Sequence, residues 1–132
     1  MNNKIQPSEA ELEILQILWE YQPCTIKLVH EQISKTKDVG YTTTQKQIQR
    51  MFDKGLVERI PGEGKSHLYS ALAQKEEVRT RLFDRLVENA FGNSVSKMVM
   101  HALGGGKASK KEIEEIRKYL DELDKRSTND NS

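Results

Sequence analysis

The spacing of apolar residues divides the chain into a helical start, a short segment of alternating period and a second helical stretch. Leu12, Leu15, Leu18 and Trp19 return at helical intervals, with Ile14 alongside. Pro7-Ser8-Glu9-Ala10-Glu11 opens this helix. The Ser8 hydroxyl can accept from an orphan amide of the first turn, and Glu11 can reach back as its capping-box partner. The first eight residues are polar and are expected to be loose, and Pro23 ends the helix. A second helix is expected from Thr25 or Ile26 to about Lys35, with Ile26, Val29 and Ile33 as its buried face. A polar connection over residues 36–41 contains Gly40. A third helix then runs from Thr42 or Thr43 to about Lys54, with Ile48, Met51 and Phe52 as its apolar stripe and Gly55 as its stop.

After Gly55 the period changes. Leu56-Val57-Glu58-Arg59-Ile60 and His67-Leu68-Tyr69-Ser70-Ala71-Leu72 read as two short strands. Pro61-Gly62-Glu63-Gly64-Lys65-Ser66 between them is a turn. Everything beyond is helical. Residues 75–91 carry Val78, Leu82, Phe83, Leu86, Val87, Ala90 and Phe91, and Gly92 ends that helix. Asn93 or Ser94 caps a shorter one with Val95, Met98, Val99, Ala102 and Leu103. Gly104-Gly105-Gly106 is a flexible break, and Ser109-Lys110-Lys111-Glu112 is a capping box opening a last helix with Ile113, Ile116, Leu120 and Leu123. Residues from about Lys125 onward are polar and are expected to fray.

Three short helices followed by a Gly-rich hairpin are the outline of a winged helix-turn-helix, in which the third helix enters the major groove of DNA and the hairpin meets the backbone or minor groove. The third helix has suitable chemistry. Thr42, Gln45, Lys46 and Gln49 share the face opposite Ile48, Met51 and Phe52, with no acid until Asp53. Glutamine pairs bidentately with adenine, threonine hydrogen-bonds or touches a thymine methyl, and lysine reaches guanine or phosphate. Thr43 and Arg50 flank that face, and the hairpin adds Lys65, Ser66 and His67, with Arg59 on the adjoining strand. Glu63 at the tip repels phosphate.

The last three helices each carry a narrow apolar stripe, and a helix set of that size has little room to bury them all within one chain. The side chains concerned are Leu82, Phe83, Leu86, Phe91, Val95, Met98, Val99, Ile113, Ile116, Leu120 and Leu123. Each large side chain gains about 1.5–3 kcal/mol on burial. Left exposed together they would exceed the apolar patch that monomers tolerate. A second copy of the chain is the expected cover, with packing back onto the winged helix as the alternative. The expected organisation is therefore a mainly α protein with a small β-hairpin. A winged helix spans 1–73, a helical dimerisation region 74–126 and a disordered tail 127–132.

Composition adds boundaries. The chain has 132 residues, 31% of them charged, and a formal net charge of +1. No run of about 18 apolar residues exists for a membrane span, and the polar start has no secretory h-region. A single cysteine, Cys24, excludes an internal disulfide and suits the cytoplasm, where a buried structural thiol is the expected state. His30, His67 and His101 lack ligand spacing, so no metal site is expected. No Gly-rich loop for nucleotide phosphate follows a strand, no nucleophile–base set is present, and neither a cofactor nor an enzyme activity is expected. The near-zero charge looks adverse to DNA, but it is a cancellation. Residues 1–34 carry two bases against five acids, whereas residues 35–73 carry seven bases against four acids. The basic excess lies in the segment that contains the third helix and hairpin.

Pro7-Ser8-Glu9-Ala10-Glu11, Ile17-Leu18-Trp19, Tyr41-Thr42-Thr43-Thr44, Arg50-Met51 and Lys54-Gly55-Leu56-Val57 together resemble the penicillinase-repressor family, the BlaI/MecI/CopY type. The resemblance covers residues of about 7–125. It implies a homodimeric bacterial repressor whose winged helices bind a double-stranded operator dyad and whose C-terminal helices intertwine. It maps base reading onto Thr42, Thr43, Gln45, Lys46 and Gln49, with Arg50 structural or facing phosphate. Thr44 and Gln47 depart from it, standing where the family has apolar residues. They either enlarge the polar face or shift the helix against the core. In several members a membrane sensor with a metalloprotease domain triggers cleavage at an Asn-Phe pair in the penultimate helix. His101-Ala102 stands at that place here, so a sensor protease is a candidate partner only with a different specificity. The paired cysteines of the copper-responsive branch are missing. Two other classes remain open from the residues: a winged-helix protein-interaction module and a ligand-sensing winged-helix regulator.

Overall fold

The structure, a computed structural model, describes residues 6–130. Most of the expected loose start (residues 1–5) and the last two residues of the tail lie outside the described residues. Helix α1 spans Glu9–Tyr21, α2 Ile26–Ile33 and α3 Tyr41–Lys54; strands β1 Val57–Pro61 and β2 His67–Ala71 follow. Helix α4 spans Lys75–Ala90, α5 Val95–Gly104 and α6 Lys110–Asp130.

The local signals act where the sequence places them. The Ser8 hydroxyl accepts from the Glu11 amide at 3.2 Å, and the Ser8 amide donates to Glu11 Oε1 at 2.9 Å. Thr25 caps α2 by accepting from the Leu28 amide at 3.1 Å. Gly55 takes φ +81°, the left-handed turn that lets the Leu56 amide return to the Met51 carbonyl at 2.9 Å. The hairpin is antiparallel, with Val57 opposite Ala71 and Arg59 opposite Tyr69. Its second strand is anchored sideways. The Cys24 and Tyr69 backbones exchange hydrogen bonds of 3.0 and 2.7 Å, so the α1–α2 connection holds the hairpin against the helices.

The first compact unit runs through Phe83 and the second begins at Asp84, inside α4. That division lies ten residues beyond the expected break at 73/74. The physical reason is that Val78, on the first half of α4, is fully buried, and the Trp19 indole donates to the Ala73 carbonyl at 2.9 Å. The core of the first unit joins Ile14, Leu15 and Leu18 of α1, Val29 and Ile33 of α2, and Ile48 and Met51 of α3 to Leu56, Val57 and Tyr69 of the hairpin. Ile26 and Phe52 are only half-buried. Cys24 is buried in the same cluster, and that burial raises its thiol pKa, keeping it in the less reactive neutral form.

In the second unit, Ser94 caps α5 by accepting from the Lys97 amide, and Ser109 and Glu112 close a reciprocal box at the start of α6 with both bonds at 3.1 Å. Helix α6 does not stop near Lys125. It continues to Asp130, so residues 127–130 of the expected disordered tail are helical. Asp121 with Lys125 and Glu122 with Arg126 are spaced for favourable i,i+4 attraction, and the Thr128 hydroxyl donates to the Asp124 carbonyl at 3.0 Å. Polarity alone had suggested fraying; the arrangement of the charges favours helix.

Glu11 is nearly inaccessible, and its Oε2 lies 2.7 Å from Lys54 Nζ at the far end of α3. Burial pushes its carboxyl pKa up, but the Lys54 and Ser8 hydrogen bonds outweigh that and hold it below the usual glutamate value. A folded pKa below the unfolded one means the stabilisation is complete above the ordinary glutamate value and is lost as pH falls through the folded one. Glu11→Ala removes a cap and a charge-assisted bond, and should cost about 2 kcal/mol at neutral pH. Urea melts of parent and variant should differ by that amount at pH 7, and the difference should shrink as pH falls below the ordinary glutamate value; a difference that grows on acidification would reverse the sign.

Candidate nucleic-acid interface

The burial of Ile48 and Met51 orients α3, because side chains on the opposite side of the same helix must then face outward. Thr42, Thr43, Gln45, Lys46, Gln49 and Arg50 are all exposed. No acid lies among these six positions. Asp53 enters at the end of the face, where the Gln49 amide donates to Asp53 Oδ1 at 3.2 Å. That bond occupies one Gln49 donor and aims its side chain along the helix.

Helix α3 and the hairpin share a groove of about 470 Å³. Gln45, Gln49 and Tyr41 line it from α3, Lys65, Ser66, His67, Arg59 and Tyr69 from the hairpin, and Thr25, Ile26 and Lys27 from the start of α2. Three cations, Lys27, Arg59 and Lys65, thus meet there without a carboxylate. Arg59 is held in place: its guanidinium carbon sits 4.2 Å from the centre of the Phe52 ring. The groove joins positions 38 residues apart in sequence (Lys27 and Lys65), so the local basic excess becomes a continuous surface.

Ser66 lines the groove and also closes the turn beneath it. Its hydroxyl donates to the Glu63 carbonyl at 2.6 Å and its amide to the same oxygen at 3.2 Å, so it closes the hairpin turn. Lys65, beside it, is exposed and lines the groove. Lys27 was not singled out from the sequence, and Tyr41 entered only as the start of the family motif. No local signal marks Lys27, because it reaches the groove only when α2 packs beside α3 and the hairpin.

Thr44 and Gln47 resolve differently from each other. Thr44 is 2% exposed and points into the protein, where its hydroxyl lies 2.9 Å from His30 Nδ1. Gln47 is half-buried. The helix keeps its register, and Thr44 does not enlarge the polar face.

The apolar positions of the last three helices stay open in the single chain. Leu82, Phe83, Leu86, Val95, Leu120 and Leu123 are exposed, whereas Phe91, Met98, Val99, Ile113 and Ile116 are half-buried. Val78 and Val87 are the buried positions of α4. His101 packs its ring 5.6 Å from Phe91, and both His101 and Ala102 are exposed. Among the described residues, no helix is long and apolar enough to cross a membrane.

Comparison with known proteins places this geometry. The penicillinase repressor of Staphylococcus aureus is 22% identical over 95% of this chain and 98% of its own length. The methicillin resistance regulatory protein MecI of Staphylococcus aureus strain N315 is 25% identical over 91% of this chain and 98% of its own. A MarR family protein from Bacillus stearothermophilus aligns in structure over 92% of this chain and 76% of its own, with a TM-score of 0.53 at 19% identity, a likeness of fold alone. The sequence profile of the penicillinase repressor family matches residues 7–122, which contain every element through most of α6. The chain belongs to the penicillinase repressor family of winged-helix, DNA-binding transcriptional repressors.

Proposed function

We propose that this repressor binds an operator dyad as a homodimer, with α3 of each protomer in the major groove and each hairpin on the flanking backbone. The observation that carries the reading is the exposed α3 face running into a groove with Lys27, Arg59 and Lys65 and no carboxylate. Gln45 and Lys46 read base edges, Thr42, Thr43 and Gln49 add contacts along the same helix, and Arg50 and Lys65 meet phosphate. The exposure of Leu82, Phe83, Leu86, Val95, Leu120 and Leu123 supports a second copy as the cover for the C-terminal helices. Two recognition helices on one face of the duplex then lie about 34 Å apart, or a multiple of that. A sensor protease is a partner in induction if it accepts the exposed His101-Ala102 pair in place of Asn-Phe.

A salt-titrated binding assay tests the reading. If Lys27, Arg50, Arg59 and Lys65 of both protomers neutralise phosphates, log affinity should fall against log salt with a slope of about −7. Gln45→Ala and Lys46→Ala should each cost about 1–3 kcal/mol on the preferred site and little on random DNA. Absence of DNA binding even at low salt would favour the protein-interaction module instead.

A further inference from the structure

The first turn of α3 supplies Thr42 and Thr43, yet nothing in its own sequence holds that turn. Its N-cap is Gly40, which offers no side chain to the orphan amides. Side-chain restraint on this helix start therefore comes from the tertiary structure. In this chain the clamp is His30 on α2. Its Nδ1 lies 2.9 Å from the Thr44 hydroxyl, its ring meets Tyr41 edge-on with centroids 5.4 Å apart, and its Nε2 lies 3.3 Å from the Ser34 hydroxyl one turn along α2. Tyr41 and Thr44 flank Thr42 and Thr43 on either side, and Gln45 is the next residue.

We propose that His30 is a positioning residue for DNA reading: through Thr44 and Tyr41 it fixes the first turn of α3 and so sets how sharply the repressor discriminates between DNA sequences. This rests on the assignment of α3 to the major groove. The buried Thr44 hydroxyl requires a partner, and among the described residues no buried side-chain polar atom lacks one. An apolar side chain at position 44 would pack there without directional restraint. The His30–Thr44 bond adds direction, because it is satisfied at one rotation of α3 about its axis and not at neighbouring ones. A recognition surface held in its bound geometry loses less entropy on binding, and the saving goes to the sequence that fits that geometry.

The test is a double-mutant cycle in the full chain with His30→Ala, Thr44→Val and the two combined, read as the ratio of affinities for the preferred duplex and for random DNA. Each single variant should lower that ratio about 10-fold, and the double no further than the larger single, as for two residues in one interaction. Amide exchange at positions 43 and 44, whose amides donate to the Gly40 carbonyl at 3.1 and 3.3 Å, should quicken in both singles, while Ile14 and Leu15 in the α1 core keep their protection. A merely structural role would change the active fraction alone and leave the ratio and the salt slope untouched. If His30→Ala unfolds, His30→Leu combined with Thr44→Val keeps an apolar contact and should still lose discrimination. A variant that folds and retains the parent's ratio overturns the proposal. A parent chain that binds no duplex preferentially overturns the assignment of α3 itself, and that outcome is visible before any variant is made.

Discussion

Lys46→Glu should weaken binding to the preferred duplex by about 100-fold or more, since it removes a base or phosphate contact and sets a like charge against the DNA. Lys46 is exposed on the acid-free part of α3, so the substitution leaves the core untouched. Its thermal midpoint should therefore stay within a few degrees of the parent's, as is usual for surface changes. Fluorescence anisotropy at fixed salt reads the affinity, and a melt on the same sample reads the fold. Unchanged affinity would remove α3 from the interface.

The opposite separation is expected two residues along the helix, on its other side. Ile48→Ala should destabilise the protein by about 3 kcal/mol, through lost burial and the cavity left behind. Ile48 is fully buried among residues of α1, α2 and the hairpin, so little surrounding structure is free to close the gap. Urea unfolding should show a lower midpoint with the slope unchanged. Gln45→Ala, on the same helix three residues earlier, should change stability by less than about 0.5 kcal/mol while losing affinity. A loss below about 1 kcal/mol for Ile48→Ala would mean that this side of α3 is not what seats it.

The elements of the fold could be read from local pattern because their causes are local. The Ser8–Glu11 and Ser109–Glu112 boxes, the Gly55 stop and the turn between the strands each involve residues a few positions apart. What escaped was polar burial. Glu11 was recognised as a cap, but its second oxygen belongs to Lys54, 43 residues on. Thr44 lies four residues before Ile48, which is the spacing of the buried stripe; its residue type masked that position. The partner that makes its burial tolerable is His30, on another helix. The groove behaves in the same way: Lys65 and Arg59 were visible as the cations of the hairpin, whereas Lys27 joins them only through folding. The unit boundary inside α4 follows from Val78, which the stripe included without revealing which partner covers it.

The most direct measurement of sequence-specific, dimeric DNA binding is selection of preferred sites from a random duplex library by the full chain, followed by the mass of the selected complex. The predicted result is an inverted repeat with half-site centres about 10–10.5 base pairs apart, or a multiple of that, bound by two copies of the chain. Recovery of no enriched sequence, or of a single unrepeated site bound by one copy, would contradict it.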